Sequence, residues 1–333
     1  MANKRPTMND VAKLAGVTQA TVSYVVNNSA NISDEVKARV NEAIKQLNYS
    51  PNFNARALKT NSSNIIGIIL PDIVNQYYSR MVEYLEYLLI QSNHHTMVYT
   101  TSYNASFEKD IIQRLLSLDV RGVIVLYQLT DANNWDTLKK SGKKIIALEG
   151  GSYCTQIGIP CIRTDSFSGG YMATNYLLSQ GAKRIAYIHQ TAIIESLYDR
   201  FLGYTKAMKD ADLYQPEDVY YMDNTADRYK EWERIGNQIA ALPYDAIIST
   251  SDLIAFGIIR QLLQHGIHVP EDMRIIGYDN IPLAGLFIPA LTTMAQPLED
   301  ICKQIVSLLF PEEGCTDDIT TAFTPKLIIR ESA

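Results

Sequence analysis

From residue 64 onward the chain repeats one pattern, a short apolar run followed by an amphipathic stretch, and that pattern dictates the kind of fold available. Asn64-Ile-Ile-Gly-Ile-Ile-Leu70 is the first such run. It is apolar at nearly every position rather than at alternate ones, which marks a strand buried on both faces of a parallel sheet. Parallel neighbours need long crossovers, and the intervening stretches supply them. A helix is expected around Tyr78–Gln91, with Met81, Val82, Leu85, Leu88 and Leu89 inward. Strand Thr96–Thr100, a helix near Phe107–Leu118, strand Gly122–Tyr127, a helix near Asn133–Ser141 and strand Lys144–Leu148 follow. A further unit begins at Cys161. Its expected elements are helix Gly169–Gln180, strand Arg184–His189, helix Arg200–Asp210, strand Val219–Met222, helix Trp232–Ala241, strand Asp245–Thr250, helix Leu253–His265 and strand Met273–Gly277. The tail Leu291–Ala333 adds a strand, a helix at Pro297–Phe310 and a last strand at Lys326–Arg330. Two βαβ sets in series predict an α/β body of two doubly wound lobes over residues 64–333.

The first fifty residues carry a different signal. Met8 to Val26 spells two short helices joined by a tight turn. Val11, Leu14 and Ala15 share a face of the first helix, and Thr7 can cap it with Asp10 in its first turn. Gly16 stands where a helix needs a left-handed stop. Thr18 can cap the second helix, whose inward residues are Val22, Val25 and Val26, leaving Gln19, Ala20, Thr21 and Tyr24 near its outer end. A third amphipathic helix, Asp34 to Asn48 behind Ser33, places Val36, Val40, Ala43, Ile44 and Leu47 on one stripe. Three such helices close one small core, with the second presented outward as in a helix-turn-helix. A plain αα-hairpin packed on another element is the alternative.

Charge separates the two parts. The chain of 333 residues has a net charge of −6, which read whole would argue against nucleic acid. Its first 60 residues, however, hold eight basic and four acidic side chains, a net +4, and the remainder carries −10. A basic head on an acidic body suits a DNA reader with a separate ligand-binding body. The four cysteines, Cys154, Cys161, Cys302 and Cys315, form no CxxC pair, so no zinc site is expected and the thiols belong in a reducing compartment. No apolar run approaches membrane-spanning length, and MANKRPTMND holds no hydrophobic signal core. A cytoplasmic protein with no membrane contact is expected. The five histidines, His94, His95, His189, His265 and His268, show no metal or triad spacing and are expected on the surface or in loops. No dinucleotide, P-loop, nucleophile-elbow or zinc-protease motif occurs, so neither an enzyme nor a resident cofactor is predicted.

The segments DVAKLAGVTQATVSYVVN and ISDEVKARVNEAIKQLNYSPN resemble the DNA-binding domain of the lactose-repressor (LacI/GalR) family of bacterial transcription regulators. The resemblance runs over essentially the whole chain. It continues through Gly181-Ala-Lys-Arg184, Arg274-Ile-Ile-Gly-Tyr-Asp-Asn280, Pro289-Ala-Leu-Thr-Thr293 and Thr324-Pro-Lys-Leu-Ile-Ile-Arg330. It implies a helix-turn-helix domain over residues 1–51, a hinge helix and linker over 52–63, and a two-lobed body of periplasmic-binding-protein type over 64–333, with crossovers between the lobes. It further implies that Gln19, Ala20 and Tyr24 read base edges, glutamine pairing with adenine and alanine meeting a thymine methyl. The family often places Arg or His where Tyr24 stands, so the base preference there is left open. Thr18, Ser23, Asn31 and Ser33 are expected phosphate contacts. In the hinge, Asn52, Ala55, Arg56 and Leu58 match, with Leu58 as the minor-groove wedge, Ala55 at the helix pairing and Arg56 on phosphate. A flexible linker is the plainer reading of that segment. A hinge that needs a partner implies a homodimer on a pseudo-palindromic double-stranded operator. The chain stops at Ala333 with no further heptad segment, so a dimer rather than a tetramer is expected.

Ligands of open α/β sheets gather beyond the carboxyl ends of the strands. There the sequence places Tyr77, Tyr78, Glu149, Ser196, Arg200, Ser251, Asp252, Phe256, Asp279 and Gln296. The resemblance assigns Arg200, Asp279, Gln296 and the Ser251–Asp252 pair to effector contact, Tyr77 and Tyr78 to the pocket flanks, and adds Glu149 and Ser196. Carboxylates and an arginine grip adjacent hydroxyls and aromatic rings cover a sugar's apolar face, so a sugar or sugar derivative is the expected effector. Against this, Tyr77 and Tyr78 could be ordinary core tyrosines and Asp252 could simply cap a helix. The family often has Asn where Ser251 stands. The resulting expectation is a DNA-binding transcriptional regulator, a repressor, in which the lobes reorient around the effector and alter DNA affinity by the coupling energy. A regulator dependent on a corepressor or a phosphocarrier protein, and a solute-binding protein, are the alternatives.

Overall fold

A computed structural model describes residues 6–27, 32–49, 63–191, 194–223, 227–311 and 320–333. The chain divides into two compact units between Ser63 and Asn64. Asn31, Cys315 and the expected hinge residues Asn52, Ala55, Arg56 and Leu58 lie outside the described residues.

The first unit contains α1 (Met8–Ala15), α2 (Gln19–Asn27) and α3 (Asp34–Gln46). Thr7 caps α1 in a reciprocal box. Its hydroxyl accepts from the Asp10 amide at 3.3 Å while the Asp10 carboxylate accepts from the Thr7 amide at 2.8 Å. Gly16, at φ 66°, ends the helix. The Thr18 hydroxyl accepts from the Thr21 amide at 3.1 Å and so caps α2. Val11, Ala12, Ala15, Val22, Val40, Ala43 and Tyr49 form the core. Leu14, expected inward, is 50% exposed. At about 100° per residue it lies roughly a quarter-turn off the face centred on Val11, Ala12 and Ala15. Ser33 occupies the cap position of α3 but its side chain makes no capping bond; Asp34 and Glu35 complement the helix dipole instead.

The second unit has two six-stranded sheets. The first contains β1 (Ile65–Leu70), β2 (His95–Thr100), β3 (Gly122–Val125), β4 (Lys144–Leu148), β5 (Cys161–Thr164) and β11 (Thr320–Phe323). Its order is β11-β5-β4-β3-β1-β2, all parallel. The second contains β6 (Ile185–Gln190), β7 (Val219–Met222), β8 (Ala246–Ser249), β9 (Arg274–Tyr278), β10 (Thr292–Ala295) and β12 (Lys326–Ile328), in the order β12-β10-β9-β8-β6-β7. Among the described residues only β12 is antiparallel to its neighbour. Leaving the last strand of each aside, both sheets follow the doubly wound order 2-1-3-4-5, with its switch point between the first and third strands.

Around the first sheet lie α4 (Gln76–Gln91), α5 (Ala105–Ser117), α6 (Ala132–Lys140), α7 (Gly151–Gln156) and the returning α13 (Leu298–Leu309). Around the second lie α8 (Ser166–Ser179), α9 (Glu195–Asp210), α10 (Arg228–Ala240), α11 (Asp252–Gln264) and α12 (Pro282–Leu286). The chain crosses between lobes after β5, after β10 and between β11 and β12. Return of α13 to the first lobe is visible where the Cys302 sulfur sits 3.8 Å from the Met81 carbonyl of α4. The helices α8 and α9 meet backbone to backbone. A Cβ added at Gly170 would lie 2.1 Å from the Arg200 carbonyl oxygen, and one at Gly203 would lie 2.2 Å from that of Phe167. That contact fixes where α9 presents Arg200.

Several boundaries differ from expectation. Glu195, not Arg200, opens α9, and Arg228, not Trp232, opens α10, whose polar first turn carries no apolar period. The short α7, α12 and β11 gave no periodic signal at all. His94 lies in the loop before β2, as expected, but is buried and stacked on Phe310 at 4.3 Å, whereas His189 belongs to β6 beside Phe201 and Tyr221 and is not a loop residue.

Candidate functional site

The carboxyl ends of both sheets border one cleft between the lobes, with about 960 Å³ of space including its open mouth. Tyr77, Tyr78 and Glu149 reach it from the first lobe, Ser196, Arg200, Ser251 and Asp279 from the second, and Gln296 from a crossing segment. Eight of the ten expected ligand residues thus share one cavity.

Hydrogen bonds organise its floor. Gln296 accepts from the Tyr77 hydroxyl at 3.0 Å and donates to Asp279 at 2.8 Å. The amide and hydroxyl of Thr164, at the first crossing, both donate to Glu149, at 2.7 and 2.6 Å, and the hydroxyl oxygen lies 3.2 Å from the side-chain oxygen of Gln296. Asn75 caps α4 by accepting from the Tyr77 amide and reaches across to Asp279 at 3.4 Å. Glu149 (φ 52°), Tyr103 (φ 56°) and Asp279 (φ 105°) all hold left-handed backbone, an unfavourable conformation for side-chain-bearing residues, and all three border the cleft.

Burial governs the charges. Desolvation pushes the Glu149 carboxyl above its usual range against the hydrogen bonds from Thr164 and the charge of Arg200. It does the same to Asp279 against Arg200, Gln296 and Asn75. Tyr77 and Tyr78 are held well above ordinary tyrosine values, first by burial, and remain neutral donors. The Arg200 guanidinium stacks 3.6 Å over the Tyr278 ring and donates to the Thr250 carbonyl at 2.8 Å. Burial opposes its charge, but Tyr278, Asp279, Glu149 and Tyr187 outweigh that and raise its pKa.

Asp252 and Phe256 do not border the cleft. Asp252 is wholly buried and bonded to the Ile281 amide and the Thr293 hydroxyl, and the α11 cap is Ser251, which accepts from the Ile254 amide. Phe256, one turn along α11, packs on Phe287 at 4.5 Å. The structure adds Tyr103, Tyr127, Gln190 and Asp223, each at or just beyond a strand end and therefore reachable by the same rule, and Trp232, which sequence position alone did not mark. Asp72 and Arg228 also border the cleft and face each other across the lobes at 3.6 Å. Among the described residues no cluster of His, Cys, Asp and Glu could hold a metal ion, and no helix is long and apolar enough to cross a membrane.

In the first unit, Thr18, Gln19, Ala20 and Tyr24 are exposed along the start of α2, Ser33 is exposed and Ser23 is half-buried. The exposed set therefore forms the free surface of the second helix of a helix-turn-helix, the geometry that fits a major groove.

Comparison with known proteins agrees with both halves. The family of bacterial regulatory proteins termed lacI matches residues 7–52, and a periplasmic binding protein-like domain matches 174–333. Catabolite control protein A of Staphylococcus xylosus is 32% identical over 89% of this chain and 88% of its own. The HTH-type transcriptional repressor PurR of Histophilus somni is 32% identical over 98% of each. The transcriptional regulator CelR in complex with cellobiose superposes with a TM-score of 0.70 at 25% identity, covering 99% of this chain and 100% of that one. The Lac repressor dimer bound to operator and the anti-inducer ONPF shares the fold, with a TM-score of 0.81 at 23% identity and 99% coverage of each.

Proposed function

Because the chain belongs to the lacI family of bacterial regulatory proteins, a family of effector-controlled DNA-binding transcription regulators, we propose that its effector is an uncharged sugar or sugar derivative held in the interlobe cleft. The observation that carries this reading is the cleft's chemistry. Two buried carboxylates, one guanidinium already engaged with Tyr278 and Thr250, and the hydroxyls of Tyr77 and Tyr78 offer many partners to adjacent hydroxyls. Asp72, Glu149, Asp223 and Asp279 outnumber Arg200 and Arg228 around the cleft, so no surplus positive charge awaits a phosphate or carboxylate on a ligand. The structure of CelR with cellobiose supports a sugar for a protein of this fold.

In the same reading Asp279, Glu149, Arg200, Gln296, Ser196 and Ser251 grip the ligand while Tyr77 and Tyr78 flank it, and the ligand is bound without turnover. Gln19, Ala20 and Tyr24 read bases; Thr18, Ser23, Asn31 and Ser33 meet phosphates; and Leu58, with Asn52, Ala55 and Arg56, works in the minor groove. The protein acts as a cytoplasmic homodimer on a pseudo-palindromic operator, where it represses. The dimeric Lac repressor on its operator supports that assembly by its fold.

A thermal-shift screen of the full chain against sugars, sugar phosphates and nucleobases tests the effector. A ligand at about a hundredfold over its dissociation constant adds roughly 2.7 kcal/mol of stability. The expected result is a neutral sugar whose shift disappears in Asp279→Ala and Arg200→Ala. A shift from sugar phosphates or nucleobases alone would overturn the reading.

A further inference from the structure

We propose that Glu195 is a positioning residue that clamps the two lobes shut at the edge of the cleft. It opens α9, directly before the cleft residues Ser196, Leu197 and Arg200. The first amides of a helix need acceptors from outside it. The residue at the cap of α9, Ile194, has no side chain to supply one. The acceptor comes from the other lobe, where Gln128 takes the Glu195 amide at 2.9 Å. The Glu195 carboxylate returns the contact. One oxygen accepts from both the amide and the hydroxyl of Ser152, at 2.8 and 2.7 Å, and the other lies 3.4 Å from the Arg163 guanidinium. The second lobe's helix is therefore capped by the first lobe, and the first lobe's α7 is gripped by that helix.

Local sequence is shaped to permit this. Gly151 sits at φ 80°, and a Cβ there would fall 2.9 Å from the amide carbon of Gln128. Any larger residue would displace the side chain that caps α9. Another interlobe ion pair among the described residues, Asp72 with Arg228, is a single 3.6 Å contact between partly exposed partners, a type that contributes little, as the Arg163–Glu195 pair would by itself. Glu195 instead collects several directed bonds at one point, three of them charge-assisted. It governs how freely the cleft opens, whichever ligand the cleft takes.

The test uses acrylamide quenching of Trp232, which borders the cleft, in the full chain. The other tryptophan of the pair, Trp135, is buried in the first lobe's core and is replaced by Phe to leave one reporter. In that background Glu195→Ala is expected to raise the quenching constant at least twofold with little change in melting temperature. Gln128→Ala, which breaks the contact from the first lobe's side without changing a residue of α9, is expected to raise it as well. Glu195→Gln keeps one acceptor for Ser152 and gives a smaller rise, and Asp72→Asn gives none. A role confined to the stability of α9 would move the melting temperature and leave quenching alone. Quenching equal to the parent in folded Glu195→Ala or Gln128→Ala overturns the proposal. So does loss of folding in either, because a clamp between lobes is not required for either lobe's own core.

Discussion

Replacing Asp252 separates a scaffold from a ligand contact. Its carboxylate is fully buried and accepts from the Ile281 amide at 2.8 Å and from the Thr293 hydroxyl. It lies so close to β9 that a Cβ on Gly277 would fall 2.2 Å from it. Asp252→Ala leaves two buried donors without a partner, at about 1–3 kcal/mol each, so a loss of about 2–6 kcal/mol is expected. For a unit of this size that corresponds to roughly 4–15 °C in melting temperature. Asp252→Asn behaves differently. The amide keeps the shape and an acceptor for Ile281, and the Thr293 hydroxyl can turn to accept. Desolvation first, and the charge of Asp279 second, hold the Asp252 carboxyl well above ordinary aspartate values. The folded state therefore binds that proton more tightly than the unfolded chain, and stability falls as pH rises from the ordinary aspartate range through the raised value. At neutral pH the wild type carries that cost and the asparagine variant does not. Differential scanning calorimetry from pH 4 to pH 8 is expected to show Asp252→Asn at or above wild type at neutral pH, with a flatter pH slope. An alanine variant melting within a degree or two of wild type, or an asparagine variant as damaged as alanine, would refute the reasoning.

Gly170→Ala must move α8 and α9 apart, because its methyl would sit 2.1 Å from the Arg200 carbonyl oxygen. Overpacking of this kind costs about 1–3 kcal/mol, and the displacement of Arg200 should weaken effector binding beyond the loss of stability; an unchanged melting temperature and effector affinity would mean the helices have slack there. Gln19→Ala is expected to lose discrimination at particular operator base pairs, by about 1–3 kcal/mol at each, in a competition binding assay. An equal loss on all sequences would show that Gln19 only positions the protein.

The alternation of buried runs and amphipathic stretches was enough to read both lobes, because a strand covered on both faces leaves an unambiguous apolar run, as in Ile66 to Leu70. The rule that ligands gather at strand ends led to Glu149, Asp279 and Gln296 for the same reason: the strand end is visible in sequence. It failed at Asp252, one residue from Ser251, because the rule gives distance from the strand but not direction. The side chain at the start of a helix can point along the helix or back under the sheet, and only the packing against Gly277 decides. Trp232 was missed from the other side. It sits on the buried face of α10 with Ile235, Gly236 and Ile239, where an aromatic residue looks like any core residue. The Glu195 contacts were beyond reach, since Gln128, Ser152 and Arg163 belong to another lobe and no local pattern pairs them.

The crossings tie the cleft to the relative motion of the lobes. Two of the three pass through residues of the cleft-floor network, Thr164 and Gln296, which touch each other at 3.2 Å. Gln296 already accepts from the Tyr77 hydroxyl and donates one amide N–H to Asp279. A ligand that contacts Gln296 either competes with Tyr77 for its oxygen or takes the second N–H. It therefore perturbs the segment about which the lobes must turn, while the Glu195 contacts at the edge set how far they are free to do so. Displacement at the floor without release at the edge would change little, and release at the edge without occupancy at the floor would favour no state. The ligand gains differential affinity for one arrangement only when both are linked, and that difference is the whole of the coupling free energy available to a regulator.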